Sequence, residues 1–148
     1  MKLTVSASLE DRRLRKLPEQ FSAEADRLIR RMAFAIAGDV QARIAGIPLV
    51  DTGAMMNSVF VMAGKTSTYA EAAARARKDN PEAEILPEPD RPGRLTAIVG
   101  VSAAYARFHE EGTARGIPAR PFLRPAVEAL RREWEEGMNA LFEKAMRP

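Results

Sequence analysis

His109 is the one histidine of the chain, and Glu110 and Glu111 follow it directly. An imidazole beside two carboxylates is metal-ligating chemistry. Consecutive residues of a helix, however, point about 100° apart, so the three cannot converge on one ion from a helix. The second histidine that a paired-histidine helix motif requires does not occur. Nucleophilic chemistry would need Ser58, His109 and Asp51 to meet, and no strained glycine elbow surrounds Ser58. A glycine-rich phosphate loop is also missing from the sequence. Residues Tyr105 to Glu111 read instead as a short helix, ended by Gly112 in the left-handed conformation. No catalytic residue, metal or cofactor is expected.

A sharper enzymatic pattern is "LVDTGA", Leu49 to Ala54. An Asp-Thr-Gly loop after two apolar residues looks like the active-site motif of retroviral-type aspartic proteases. There, two such loops meet at a dimer axis and the paired carboxylates share a proton, because like charges so close cannot both ionise. By that resemblance Asp51 would be the catalytic group of a homodimer. The resembling family is almost entirely β, whereas this loop follows a long helical pattern. The plainer reading is that Asp51 or Thr52 caps a short helical turn through Gly53 to Met56, its side-chain oxygen accepting an unpaired backbone N–H.

The bulk composition bounds the remaining possibilities. A chain of 148 residues makes one domain with a sizeable core. With no cysteine, neither disulfides nor thiolate metal sites can form. The start of the chain turns charged before an apolar export signal develops, and "MAFAIAGDV" (Met32 to Val40) is too short to span a bilayer. A soluble protein without membrane association is expected. The net charge is +3, which raises the possibility of nucleic acid. Lys/Arg outnumber Asp/Glu by 9 to 6 up to Val50, then stand at 6 to 7 up to Ala104 and 8 to 7 beyond. So small an excess, interleaved with acids, permits DNA nearby but lacks the clustered basic face of a phosphate-gripping module.

Elements that must position these residues follow from periodicity. Residues 2–8, "KLTVSAS", alternate and predict a strand. Phe21, Ala25, Leu28, Met32 and Ile36 recur at helical spacing, with Ile29, Val40 and Ile44 widening the stripe, which predicts a helix over 18–45. "NSVFVMAG" (Asn57 to Gly64) and "RLTAIVGVS" (Arg94 to Ser102) predict two further strands. In the second, Leu95, Ala97 and Val99 share one face and Thr96, Ile98 and Gly100 the other. Between these strands, "TSTYAEAAARARKD" predicts a short helix, and "NPEAEILPEPDRPG" carries four prolines in fourteen residues. Residues 65–93 are therefore expected to form a projecting insertion. Leu123, Val127, Leu130, Trp134, Met138, Leu141 and Ala145 predict a last helix over 123–146, with Pro125 in its first turn.

That leaves "GIPARPFLRP", where prolines alternate with Arg120, Phe122, Leu123 and Arg124. A preorganised loop carrying arginine and aromatic anchors is what a protein-docking edge needs. Phe122 and Leu123 are equally suited to tucking beneath the last helix.

Taken in order, "VDTGAMMNSV", "VGVSAAYARFHEEGT" and "IPARPFLRPAVEAL" resemble the neck or tail-completion proteins of long-tailed phages, also described as head–tail joining or minor tail components. The resemblance spans most of the chain apart from residues 65–93. It implies an α+β fold, with a small antiparallel sheet packed by the long first helix and the last helix. It also implies a structural virion protein, assembled in the host cytoplasm into a homo-oligomeric ring, expected to be sixfold, around the DNA passage. Implied partners are its own copies, the head-side connector, and tail terminator or tail tube proteins. DNA would pass nearby without sequence-specific binding. Contact residues carried over by position are Asp51, Thr52, Gly53, Asn57 and Ser58 from the first motif. The second supplies Tyr105, Glu110, Gly112 and Thr113, and the third Pro118, Arg120, Pro121, Phe122, Leu123 and Pro125.

Overall fold

A computed structural model describes residues 4–48 and 53–147. Its framework is a four-stranded antiparallel sheet in the order β1-β4-β2-β3, with β1 Val5–Glu10, β2 Val59–Ala63, β3 Thr66–Ser67 and β4 Thr96–Val101. Helix α1, Ser22–Ala45, lies across one face of this sheet. Its stripe of Ala25, Leu28, Ile29, Met32, Ala33, Ile36, Val40 and Ile44 is buried, as the 3.6-residue period requires. Opposite it sit Val59, Val61, Ala97, Val99 and Val101, every second residue of the two central strands. The α+β expectation is met.

The entry to α1 is more broken than its periodicity suggests. Arg12–Lys16 and Glu19–Phe21 are short 3-10 turns, and Pro18 sits in the extended link before the second. This entry is pinned to the far end of the chain by Asp11. Its carboxylate accepts from the Arg13 side chain at 2.7 Å and from the Trp134 indole N–H at 3.0 Å. The Arg13 guanidinium reaches on to Glu135 at 2.9 and 3.0 Å. The hydrogen bonds from the Arg13 side chain do most to hold the Asp11 carboxyl down at about 2.

The second face of the sheet carries its own layer. Helix α3, Tyr69–Asp79, buries Ala72, Ala73 and Ala76, and Ala72 packs with Phe60 and Met62. The Tyr69 ring meets Phe60 edge-on at 5.5 Å, and its hydroxyl donates to the Leu86 carbonyl. Ile85 bridges Ala103, while the Leu86 N–H donates to Ser102 O at 2.8 Å. The projecting insertion expected at 65–93 is therefore corrected. Its first half forms β3 and a covering helix, because Phe60 and Met62 on the outward side of β2 need an apolar cover. Beyond α3 the insertion is largely exposed except at Ile85 and Leu86, and the run from Pro87 onward is tied by Ser67 to Glu88 at 2.7 Å and by Arg91 to Lys65 O at 3.1 Å.

The predicted last helix is two helices, α5 Leu123–Ala129 and α6 Arg131–Met146. Leu130 leaves helical geometry at φ −99°, ψ 4°, although neither glycine nor proline stands there. Both pieces pack on α1, with Leu123, Ala126, Met138 and Leu141 buried.

Candidate functional site

The three sequence motifs converge on one end of the sheet. The first supplies α2, Gly53–Asn57, which leads directly into β2. Asp51 and Thr52, expected as alternative caps and as contact residues, lie outside the described residues. Gly53 lies close against the end of α3: a Cβ there would fall 2.5 Å from an Asp79 carboxylate oxygen, the movable end of an exposed side chain. Thus α3 packs over the start of this motif. Asn57 is half-buried.

Ser58 is 0 % exposed and works as an internal tie. Its hydroxyl donates to Met55 O at 2.8 Å and accepts from Ala103 N–H at 3.1 Å. The Ser102 N–H donates to Ser58 O at 3.2 Å, extending the β2–β4 pairing. A hydroxyl so enclosed meets neither substrate nor partner. Its expected place in a contact surface is replaced by the joining of the first motif to the second.

The second motif forms α4, Ala106–Glu111, after the end of β4. The His109, Glu110 and Glu111 side chains diverge, as their helical spacing requires. His109 is half-buried, with its ring edge-on to Tyr105 at 6.1 Å. Burial, and secondarily the nearby Arg120 charge, push its pKa down, so the imidazole is neutral at pH 7. Glu111 pairs with Arg107 one turn back at 3.0 Å, in solvent. Glu110 turns the other way, toward α5.

There its two oxygens accept the N–H groups of Phe122 at 2.8 Å, Leu123 at 3.0 Å and Arg124 at 3.1 Å. A helix opens with four N–H groups that find no partner inside it. Glu110 takes three of them, and the fourth position is Pro125, which has no N–H. Phe122 holds the N-cap place but offers no oxygen, so the cap comes from twelve residues upstream. Sequence reasoning placed Pro125 correctly and missed this role of Glu110. Capping signals are sought next to a helix, not one motif away.

Gly112 ends α4 at φ 75°, ψ 174°, a positive-φ region nearly confined to glycine, though not the left-handed helical one expected. A Cβ here would also meet Ala119 N at 2.9 Å and Ile117 O at 3.0 Å. The loop then closes on itself. Thr113 N–H donates to Ile117 O at 2.9 Å, and Arg120 N–H donates to His109 O at 2.7 Å. Between these ties Ala114 to Ala119 are exposed, and Ile117 is an exposed large apolar side chain. Pro118 and Pro121 are exposed, whereas Arg120 and Pro125 are partly covered.

Phe122 and Leu123 are not presented to solvent. Phe122 is 0 % exposed and Leu123 6 %, both within the main core. Of the two readings open from sequence, the structure shows the tucked one. The expectation that Phe122 anchors a partner is corrected, because its ring fills the space beneath α5. What remains at the surface is the rim: Thr113, Ile117, Pro118, Arg120 and Pro121.

With this geometry in place, the chain was compared with known proteins. Residues 11–112 match the family model described as "Bacteriophage HK97-gp10, putative tail-component". The match runs from Asp11 through α1, the three later strands and α4, and ends at Gly112; the third motif lies beyond it. It supports neither the protease nor the nucleic-acid-binding reading. No curated protein and no solved structure matches the chain.

Proposed function

The chain belongs to the HK97-gp10-like family of phage tail components, and from that premise we propose that it completes the head–tail connection as a ring subunit around the DNA passage. The family match over most of the chain carries this reading; the role it names is structural and virion-associated. The geometry is in keeping with it. The Gly112–Pro121 loop is ordered before any partner arrives, held by Gly112, by the Arg120–His109 tie and by the capped start of α5. Preordering lowers the entropic cost of docking, which a repeated subunit contact needs at every interface. The proposed partners are copies of the chain, the head-side connector, and the tail terminator or tail tube. The loop rim, with Ile117, Pro118, Arg120 and Pro121, is the proposed contact between them.

Deleting the gene from its phage and imaging the particles tests the proposal. Filled heads and finished tails that remain unjoined, and that join when the protein is supplied, are the expected result. Joined, infectious particles without the protein would overturn it.

A further inference from the structure

The two edges of the sheet are not equivalent. One ends in β3, two residues long, beside which the Arg91 side chain reaches Lys65 O. The other is the full length of β1, and its pairing pattern shows which backbone groups it leaves bare. Val61 bonds toward β3: its carbonyl accepts from Thr68 N–H, and its N–H donates to Thr68 Oγ1. Antiparallel strands alternate the side to which successive residues bond. Phe60 and Met62 therefore bond to Gly100 and Ile98 of β4, which leaves Ala97, Val99 and Val101 to bond with Leu9, Ala7 and Val5. The N–H and C=O groups of Ser6, Ser8 and Glu10 then point out of the sheet. No backbone partner is found for them among the described residues.

This edge is also one wall of a trough. Two adjoining concavities, of about 440 and 290 Å³, together include every residue from Thr4 to Glu10. Both are closed on the other side by the α5 side, and they share Val127. The floor is apolar where Leu9, Leu130 and Trp134 stand half-buried. Exposed edges are ordinarily guarded by lysine, proline or a bulge. "VSASLE" contains neither residue, and its register runs unbroken for six pairs.

We propose that this trough receives one extended segment of a neighbouring virion protein, added to the sheet beside β1. A row of backbone donors and acceptors repeating every second residue is complementary to another backbone in the extended state and to little else. Alternate side chains of the added strand would enter the apolar floor. Of the charged residues lining the trough, Glu111, Glu128, Arg131, Glu135 and Arg107 are ion-paired and Glu110 caps α5. That leaves Arg124, lining the Val5 end, and Glu10, lining the other, without an ion-pair partner among the described residues. The segment therefore places a carboxylate beside Arg124 and a cation beside Glu10.

A second copy pairing through its own β1 does not fit. Antiparallel edge pairing about a two-fold keeps like faces together, so the second α5 would claim the space that this α5 already walls. The exposed stretch from Pro87 to Pro92 is unsuited as well, since Pro87, Pro89 and Pro92 lack the N–H a strand must donate.

The inference rests on the tail-component reading for the identity of the neighbours, and two measurements test it separately from that reading. In the first, Ser8→Pro, Ser8→Val and wild type are supplied to the deletion phage. Proline removes the outward N–H yet is tolerated on an edge, and valine keeps the donor. Ser8→Pro is expected to keep the wild-type melting temperature within a few degrees and to lose complementation, while Ser8→Val complements fully. In the second, benzoylphenylalanine replaces Ser8, and purified particles are irradiated. Mass spectrometry is expected to map the crosslink to an extended segment of a different virion protein. A folded Ser8→Pro variant that complements like wild type overturns the inference, as does a crosslink to a second copy or no crosslink. If Ser8→Pro unfolds, the crosslink alone decides. Should deletion itself leave joining intact, it is the tail-connection reading that fails.

Discussion

The chain has two proline-rich stretches, residues 80–93 with four prolines and an acidic balance and residues 112–125 with three prolines and a basic one, and they are held by different physics. The first is delivered by burial. Helix α3 sets Ala72, Ala73 and Ala76 against the second face of the sheet, and the Ile85–Ala103 bridge then guides the chain past Leu86. The second closes on itself between Thr113 and Ile117 and is anchored by polar groups of α4, outside it. The Glu110 carboxylate takes three N–H groups, His109 O takes a fourth, and only then does Phe122 drop into the core. Proline restricts φ in both stretches, but it says nothing of where the restricted chain will lie. Small apolar residues at helical spacing place the first, and a carboxylate on a neighbouring helix places the second.

The largest way to break the comparison is Phe122→Ala. It deletes a fully buried ring from the main core, which costs about 3–5 kcal/mol when the surroundings relax only partly. Chemical denaturation is expected to show a loss of that size, with the midpoint lowered at unchanged slope. If stability were unaltered, the polar contacts alone would be holding the second stretch. With the expected loss of stability, a failure of this variant to assemble reports lost folding rather than a lost contact.

Overpacking the other stretch has a smaller expected effect. Ala72→Leu adds methylenes where Phe60, Met62 and Tyr69 already meet, a change that typically costs about 1–3 kcal/mol. Because α3 covers only the second face, limited proteolysis is expected to open residues 69–86 first while 112–125 stays intact. Simultaneous cleavage of both would mean that the two stretches unfold as one unit.

Much of this architecture was legible beforehand. The α1 stripe, the alternation in β1, the two long strands and Pro125 in a first turn all follow from period and from proline chemistry. The second layer was missed although a signal for it existed. "VFVMA" in β2 is apolar at every position, whereas "VSASLE" in β1 alternates. A strand that is apolar throughout is covered on both faces, so something had to lie outside β2, and the alanine-rich helix beside it was the candidate. The break at Leu130 left no comparable trace, since the stripe from Leu123 to Ala145 runs through it without interruption. At the candidate site the helix end at Gly112 was readable from residue type, though not the positive-φ region it occupies. The division of Pro118 to Pro125 between surface and core was not, because alternating prolines, arginines and apolar residues suit either.

The smallest effect is also the most discriminating. Glu110→Ala removes the carboxylate but leaves Phe122 and the α5 stripe in place. Its expected cost is that of a lost helix cap, about 0.5–2 kcal/mol. The three N–H groups lose their acceptor where α5 begins, so faster amide exchange is expected at Phe122, Leu123 and Arg124, with the strands unchanged. Glu110→Gln keeps an acceptor oxygen but loses the charge and offers one carbonyl in place of two carboxylate oxygens, so it should fall between wild type and alanine. That ordering separates the cap from mere occupancy of the position, because glutamine fills nearly the same volume as glutamate. If glutamine matched wild type in both stability and exchange, the charge would contribute nothing and the second stretch would be held chiefly by Phe122. The contrast between the two stretches would then shrink to one of which apolar residues each buries.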